Sequence, residues 1–274
     1  MTQLFQRAAH DWLTLRQKPD ARARERARDL ITTLNEHFAD STEITILDLG
    51  AGSGANMLWL SQHLPTPQRW RLIDRDAELL EAAQHVQAPP HVLGVEAELR
   101  SLDELTVDEV SEADLVTASA VLDVLSFAQL DGLADLLSHA QVPALFSLNV
   151  TGKVEFSPDE PLDHELTEAF NEHQHRSGLA GPQAATYLAE KLEAAGLRVL
   201  TADTDWLEGT NSREHQSDEA FVDRYLTERV AAALEQRPDL AEDAAAWLRQ
   251  RQTQLSQGTL TVRVGHHDIL VLPA

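Results

Sequence analysis

The 274-residue chain sets 45 Asp and Glu against 22 Lys and Arg, a formal net charge of −23, and so acidic a surface repels phosphate backbones, which disfavours nucleic acid as a partner. Hydrophobic residues make up 43%, fitting a globular chain, and no run approaches the ~18 consecutive apolar residues of a membrane span. There is no cysteine, which removes disulfides, thiolate catalysis and cysteine-based zinc sites and fits a cytoplasmic location.

Met1–Gln6 lacks a basic region followed by an apolar run, so the start does not read as a secretory signal. Leu4, Phe5, Ala8, Trp12 and Leu15 recur at helical spacing and predict a helix over 3–16. Pro19 stands where a second helix can begin, and 21–38 continues it. At residue 44 the period changes. Ile44-Thr45-Ile46-Leu47-Asp48-Leu49 is a short, nearly continuous apolar run, as expected of a strand buried on both faces. A glycine-rich turn at 50–54 leads into a helix at 56–63. The alternation then repeats: strand 70–73 closed by Asp74, helix 77–84, a weak strand 92–95, a fourth strand 114–119, helix 121–137 and a fifth strand 144–150. A helix at 182–195 stops at Gly196 before strand 198–202. Strands separated by helices point to a parallel, doubly wound sheet.

Two stretches interrupt this rhythm. Residues 151–181 are polar, with a helix near 162–176, and 206–257 is largely helical over 220–234 and 240–255. The tail 259–273 returns to strand character, as one bent strand or a hairpin. With no internal repeat or low-complexity linker, the chain reads as one domain over 1–274. Its parts are an N-terminal helical cap (1–40), a core (44–202), a helical insertion (206–257) and a final strand region (259–274).

The stretch Asp48-Leu49-Gly50-Ala51-Gly52-Ser53-Gly54-Ala55-Asn56 follows a buried strand and opens a helix, the context a nucleotide-binding turn requires. Glycines there permit a tight turn and let a ligand approach the backbone. Asp74 ends the next strand, where a carboxylate can accept from both ribose hydroxyls. Gly50, Gly52 and Ala55 also satisfy a dinucleotide-binding pattern. Asp48 argues against that, since an acid before the first glycine repels a pyrophosphate but suits a cationic ligand.

Asp48–Gly54 resembles the first motif of class I S-adenosylmethionine-dependent methyltransferases. Leu72-Ile73-Asp74-Arg75-Asp76 is similar to their second, and Asp114–Ala120 to their fourth. The resemblance covers about 44–202. It implies a Rossmann-like α/β fold, with a doubly wound, mostly parallel seven-stranded sheet, N-terminal helices and a helical insertion before the last strand. It also implies S-adenosylmethionine as cofactor. By the same resemblance, Asp48 and the loop Gly50, Ala51, Gly52, Ser53 and Gly54, with Asn56, hold the methionine moiety. Asp74 takes the ribose, Arg75 flanks the adenine, and Glu96 or Glu98 meets its amino group. Ser119, Ala120 and Val121 lie near the reactive methyl. The basic run 16–28 has two readings: Arg22 or Arg24 pairs with the methionine carboxylate, or the run is a solvated face balanced by Glu25 and Asp29.

The expected acceptor is a small molecule, methylated at oxygen or nitrogen. The (Asp/Asn)-Pro-Pro-aromatic motif of enzymes that methylate DNA amino groups is replaced by Ser119-Ala120-Val121-Leu122. Phe170–Arg176 is dense in hydrogen-bonding side chains. Read as part of a site, it offers His173 as a base and Asn171, Gln174 and Arg176 to orient a polar or anionic acceptor; read otherwise, it is a solvated helix end. Trp206 and Tyr187 are the aromatic residues expected in an acceptor pocket. His173 with His175, and His266-His267-Asp268, lack the spacing of a metal site, so no metal is expected. Two other readings stand beside this one: a non-catalytic scaffold that keeps the fold, and an NAD(P)-dependent oxidoreductase, which Asp48 and the missing second nucleotide-binding half disfavour. Oligomeric state is not legible.

Overall fold

The computed structural model describes residues 10–209 and 219–273. It contains the strands β1 (Ile44–Leu49), β2 (Gln68–Asp74), β3 (Val92–Leu99), β4 (Leu115–Ser119), β5 (Ala144–Ser157), β6 (Arg198–Asp203), β7 (Trp206–Gly209) and β8 (Thr261–Leu272). Seven form a continuous path in the order β3-β2-β1-β4-β5-β8-β6, and the eighth, β7, pairs with β8. The first five on that path are parallel. β8 runs antiparallel to β5, β6 and β7. The tail is therefore one long strand rather than a hairpin. β7 falls where the sequence pattern suggested the start of a helical insertion: four residues are too few to show a period, and pairing with β8 decides their state.

The helices are α1 (His10–Arg24), α2 (Arg28–His37), α3 (Ala55–Leu60), α4 (Ala77–Gln84), α5 (Val107–Ser111), α6 (Phe127–Ala140), α7 (Asp163–Gln174), α8 (Ala184–Ala194), α9 (Glu219–Gln236) and α10 (Ala241–Ser256). Residues 3–9 of the first expected helix lie outside the described residues. The break expected at Pro19 is absent; Pro19 lies inside α1, and the chain turns instead at a 3-10 turn over Glu25–Ala27. Proline forfeits one helical hydrogen bond. Here Arg16 bridges the proline to Asp20 at 2.8 Å, and Trp12, Leu15 and Ala23 on either side pack into one core. α6 begins later than its apolar pattern suggests because Ser126 and Gln129 form a reciprocal capping box. α5, unforeseen, is capped the same way by Thr106 and Glu109.

Three apolar cores follow from this arrangement. α5, α6 and α8 cover one face, where Leu130, Leu137, Leu188 and Leu192 meet Leu47, Val116 and Phe146. α2, α3 and α4 cover the other, with Leu34, Met57, Leu60 and Leu80 against Ile46, Trp70 and Leu72. Coverage on both sides is why β1 reads as a continuous apolar run. The third core lies over the long outer halves of β5 and β8, where α1, α7, α9 and α10 bury Ala23, Leu166, Phe221, Leu226 and Trp247. No described helix is long and apolar enough to cross a membrane.

The strand order places the site. After β1 the chain winds outward through β2 and β3, and after β4 it winds the other way through β5. The loops leaving β1 and β4 therefore separate, and a crevice opens over their C-terminal ends.

Candidate cofactor and acceptor site

The loop after β1 needs its glycines. Gly50, Gly52 and Gly54 have φ of 64°, 54° and 82°, a region where a Cβ is strained. A Cβ on Gly50 would also stand 2.7 Å from Val121 Cγ2. Asp74 at the end of β2 fixes the loop: one oxygen accepts from Gly52 N at 2.8 Å, the other from Asp76 N at 2.9 Å. Asp76 in turn caps α4 by accepting from Glu78 N and Leu79 N. A second constrained point faces the loop. Ala120, just after β4, adopts φ 56°, and its N–H donates to Ser147 O at 2.9 Å; a left-handed alanine costs roughly 1–3 kcal/mol and concentrates at functional sites.

These elements bound a cleft of ≈ 270 Å³. Its floor carries Gly50–Ser53, Asn56 and Ser119–Val121; Asp74, Arg75 and Asp76 form one wall, Arg100, Ser101 and Leu102 another, and Leu13, Arg16 and Asp20 of α1 lie across it. A depression of ≈ 180 Å³, lined by Arg24, Trp59 and Leu148, shares Asp20, Ala55, Asn56 and Ser119 with the cleft. The loop residues, Asn56, Asp74, Arg75, Ser119 and Ala120 are thus brought together. Gly54 stands behind the lining as the left-handed cap of α3.

Asp48 also stands behind it, fully buried. Asp48 Oδ1 accepts from Asn56 Nδ2 at 2.7 Å, and Asn56 Nδ2 further donates to Thr117 Oγ1 at 3.2 Å. A carboxylate partner fixes which end of the amide is the donor, so Asn56 Oδ1 is left buried with no donor, as is the second oxygen of Asp48. Desolvation pushes the Asp48 carboxyl up to about 7, against the pull of Asn56 and Arg24.

The basic run 16–28 separates residue by residue. Arg22 pairs with Glu208 at 2.6 Å, Arg26 donates to Asp205 O at 2.7 Å, and Arg28 pairs with Glu25 at 2.5 Å. Arg24 is buried, stacked 3.9 Å over the Trp59 ring, and its Nε and Nη2 have no acceptor. Burial lowers its pKa to about 10, opposed by Asp268, Asp20 and Asp48, so it stays cationic at neutral pH.

Other expected residues lie elsewhere. Glu98 is paired to Arg71 at 3.0 Å and to Arg100 at 3.3 Å, and Glu96 is exposed; neither lines the cleft, where Arg100–Leu102 stand instead. His173 is buried between α7 and α9, with Nε2 3.5 Å from Glu235. Burial and Arg176 lower its pKa. Asn171 donates to Gly152 O at 2.9 Å, Arg176 bonds Glu235 and Gln236, and Gln174 packs beside Gly181. None of these four lines either depression. Trp206 is buried one layer below the cleft, with Nε1 donating to Asp20 Oδ1 at 3.0 Å. Tyr187 bonds Asp131 at 2.8 Å, away from the cleft lining. No group of three or more His, Asp or Glu side chains is assembled for a metal among the described residues. Leu13 and Asp20 had no motif to mark them, and Arg16 was marked only as part of the basic run; the fold lays α1 over the crevice.

Residues 46–140 match the model of the methyltransferase-domain family. That segment is similar to a methyltransferase domain, and the strand order around it is the Rossmann-like α/β fold that the resemblance implies. The matched segment runs from β1 through the end of α6 and so holds the glycine loop, Asp74 and the β4 turn. No curated protein matches the chain. Among solved structures, the chain is similar in fold to the YcgJ protein of Bacillus subtilis, at 14% identity and a TM-score of 0.51, covering 90% of this chain and 99% of that one. A methyltransferase from Geobacter sulfurreducens in complex with S-adenosyl-L-homocysteine aligns at 15% identity, TM-score 0.41, over 90% and 91% of the two chains. One described as a putative sarcosine dimethylglycine methyltransferase from Galdieria sulphuraria aligns at 11% identity, TM-score 0.45, over 90% and 85%.

Proposed function

We propose that this chain is an S-adenosylmethionine-dependent methyltransferase that transfers a methyl group to an oxygen or nitrogen of a small molecule, and that it works in the cytoplasm. The reading rests on one observation. Arg24, in the smaller depression, offers unpartnered N–H donors, and Asn56, shared between that depression and the cleft lined by Asp74, an unpartnered acceptor. Donors beside an acceptor match the carboxylate and ammonium of an amino acid; a carboxylate one strand away matches a ribose. S-adenosylmethionine has both groups, so the residues present fit it.

In this assignment Arg24 takes the methionine carboxylate and Asn56 Oδ1 the ammonium, with Asp48 positioning Asn56 and supplying negative potential from behind. The loop Gly50–Gly54 lies along the chain of the ligand, Asp74 accepts from the ribose hydroxyls, and Arg75 and Leu102 flank the base. When bound, S-adenosylmethionine would supply an electrophilic methyl group to the lone pair of the acceptor. Ser119, Ala120 and the overlying α1 hold the acceptor in line, and positioning of this kind can supply much of the rate. His173 is read as a packing residue of the α7–α9 contact. A small acceptor is supported by the roof that α1 forms over the cleft and by the charge of −23, which opposes a nucleic-acid substrate.

Calorimetric titration with S-adenosylhomocysteine tests the cofactor assignment. Wild-type protein is expected to bind in the micromolar range. Asp74→Ala is expected to lose roughly 10–100-fold, the weight of charge-assisted hydrogen bonds. Equal affinity in the two proteins would remove Asp74 from the ribose site.

A further inference from the structure

The two acids expected to meet the adenine are elsewhere: Glu98 is held by Arg71 and Arg100, and Glu96 is absent from the cleft lining. The wall that stands there instead carries Ser101, just after β3, and Gln129, in the first turn of α6. One carboxylate joins them. Asp103 Oδ2 accepts from Ser101 Oγ at 3.2 Å and from Gln129 Nε2 at 3.1 Å, while Asp103 itself stays outside the lining.

A carboxylate only accepts, so Asp103 settles the direction of both bonds. The Ser101 proton is committed to Asp103. Of the lone pairs on Ser101 Oγ, one takes the Asp103 N–H at 3.4 Å, and the other has no donor among the described residues. The Gln129 amide is pinned at its far end, where Oε1 accepts from Ser126 N at 3.0 Å and from Ser126 Oγ at 3.1 Å in the capping box of α6. Nε2 is therefore the end at Asp103, and its second N–H has no acceptor among the described residues. The cleft wall thus offers an acceptor and a donor side by side, both leaning on one oxygen. Adenine carries the complement on its base-pairing edge, an amino group that donates beside a ring nitrogen, N1, that accepts. A 6-oxo purine reverses the pair, with an accepting oxygen beside a donating N1–H.

We propose that Ser101 and Gln129 read the edge of the cofactor's adenine, Ser101 Oγ accepting from the 6-amino group and Gln129 Nε2 donating to N1. Asp103 is the positioning residue that fixes both directions. This rests on the S-adenosylmethionine reading above and assigns the residues that select its base. The carboxylate expected at the end of β3 is replaced by a hydroxyl and an amide that a carboxylate holds from behind. The capping box that starts α6 thereby has a second task, since the side chain that caps the helix also presents a donor to the ligand.

The test titrates the protein by calorimetry with S-adenosylhomocysteine and with S-inosylhomocysteine, its 6-oxo counterpart. Wild-type protein is expected to bind the adenosyl compound about tenfold more tightly, because the oxo edge sets acceptor against acceptor and donor against donor. Ser101→Ala removes the acceptor, Gln129→Glu keeps the cap but removes the donor, and Asp103→Ala frees both groups to turn. Each is expected to cut the adenosyl-to-inosyl ratio several-fold. Asp74→Ala, which acts at the ribose, is expected to weaken both ligands together and leave the ratio as it is. Equal binding of the two compounds by wild-type protein, or a ratio unchanged in any of the three variants, overturns the proposal. Ser101 is half-buried and Asp103 exposed, so their variants decide the matter if Gln129→Glu does not fold. Failure of the wild type to bind S-adenosylhomocysteine at all would instead strike the cofactor assignment on which the proposal stands.

Discussion

Asp48 shows how one buried side chain can couple pH, stability and ligand. Its folded pKa of about 7 lies above the ordinary 3.8, so the ligand-free folded protein holds this proton more tightly than the unfolded chain does. The resulting stability penalty is absent below pH 4 and grows as pH rises toward 7, where the charged carboxylate is buried. Asp48→Asn is therefore expected to raise the melting temperature of the ligand-free protein at pH 8 and to leave it nearly unchanged at pH 4. Cofactor affinity moves the other way, because an ammonium bound at Asn56 favours ionised Asp48. Titration across pH 8 to 6 is expected to show S-adenosylhomocysteine binding weakening several-fold as Asp48 takes up its proton, and Asp48→Asn to flatten that slope. A slope that persists in the variant would assign it to another group.

Among the elements, α7 and α9 decide what the polar segment 170–176 is for. His173 faces Glu235, Arg176 faces Glu235 and Gln236, and Asn171 is tied to Gly152, so their polar atoms join secondary structures to one another. Functional groups are commonly held at some cost to stability, and removing them often raises it; removing a packed contact lowers it. His173→Ala is thus expected to lower the melting temperature by a few degrees and to leave S-adenosylhomocysteine affinity unaltered. A higher melting temperature would return His173 to the list of functional groups. The glycine loop presents the opposite case, since its conformation is local and its positive φ at Gly50, Gly52 and Gly54 follows from its composition.

The molecule as a whole is a doubly wound sheet with a helical roof built on the outer halves of β5 and β8. The roof is fastened by Asp163, which accepts from Trp247 at 2.7 Å and from the fully buried Arg251, while Arg251 also donates to Pro158 O at 2.6 Å. Truncating one member of such a pair strands the other and costs about 3–5 kcal/mol. Arg251→Met is expected to lower the melting temperature by roughly 10 °C, measured by scanning calorimetry. Cofactor affinity at low temperature should hold within about threefold, because distant sites add independently. A parallel collapse of cofactor binding would mean that roof and cleft form one cooperative unit.

What the sequence determined by itself is the part written in local order. The apolar run 44–49, three glycines in five residues and an acid at the end of the next strand specify a turn and its partner without reference to anything distant; Asp74 was legible for that reason. Periodicity also carried the succession of strands and helices, though it misplaced the turn at Pro19 and missed β7, where contacts outweighed local preference. The tertiary structure alone decided the rest. Asp48 ended behind Asn56, Glu98 was drawn into pairs with Arg71 and Arg100, and one of the five arginines in the run 16–28, Arg24, was left with buried donors that have no acceptor. Arg229 met Phe170 and Tyr225 only because α9 folds back over α7. A charged side chain's role depends on which partners reach it and how much water it keeps, and neither is encoded in its neighbours along the chain.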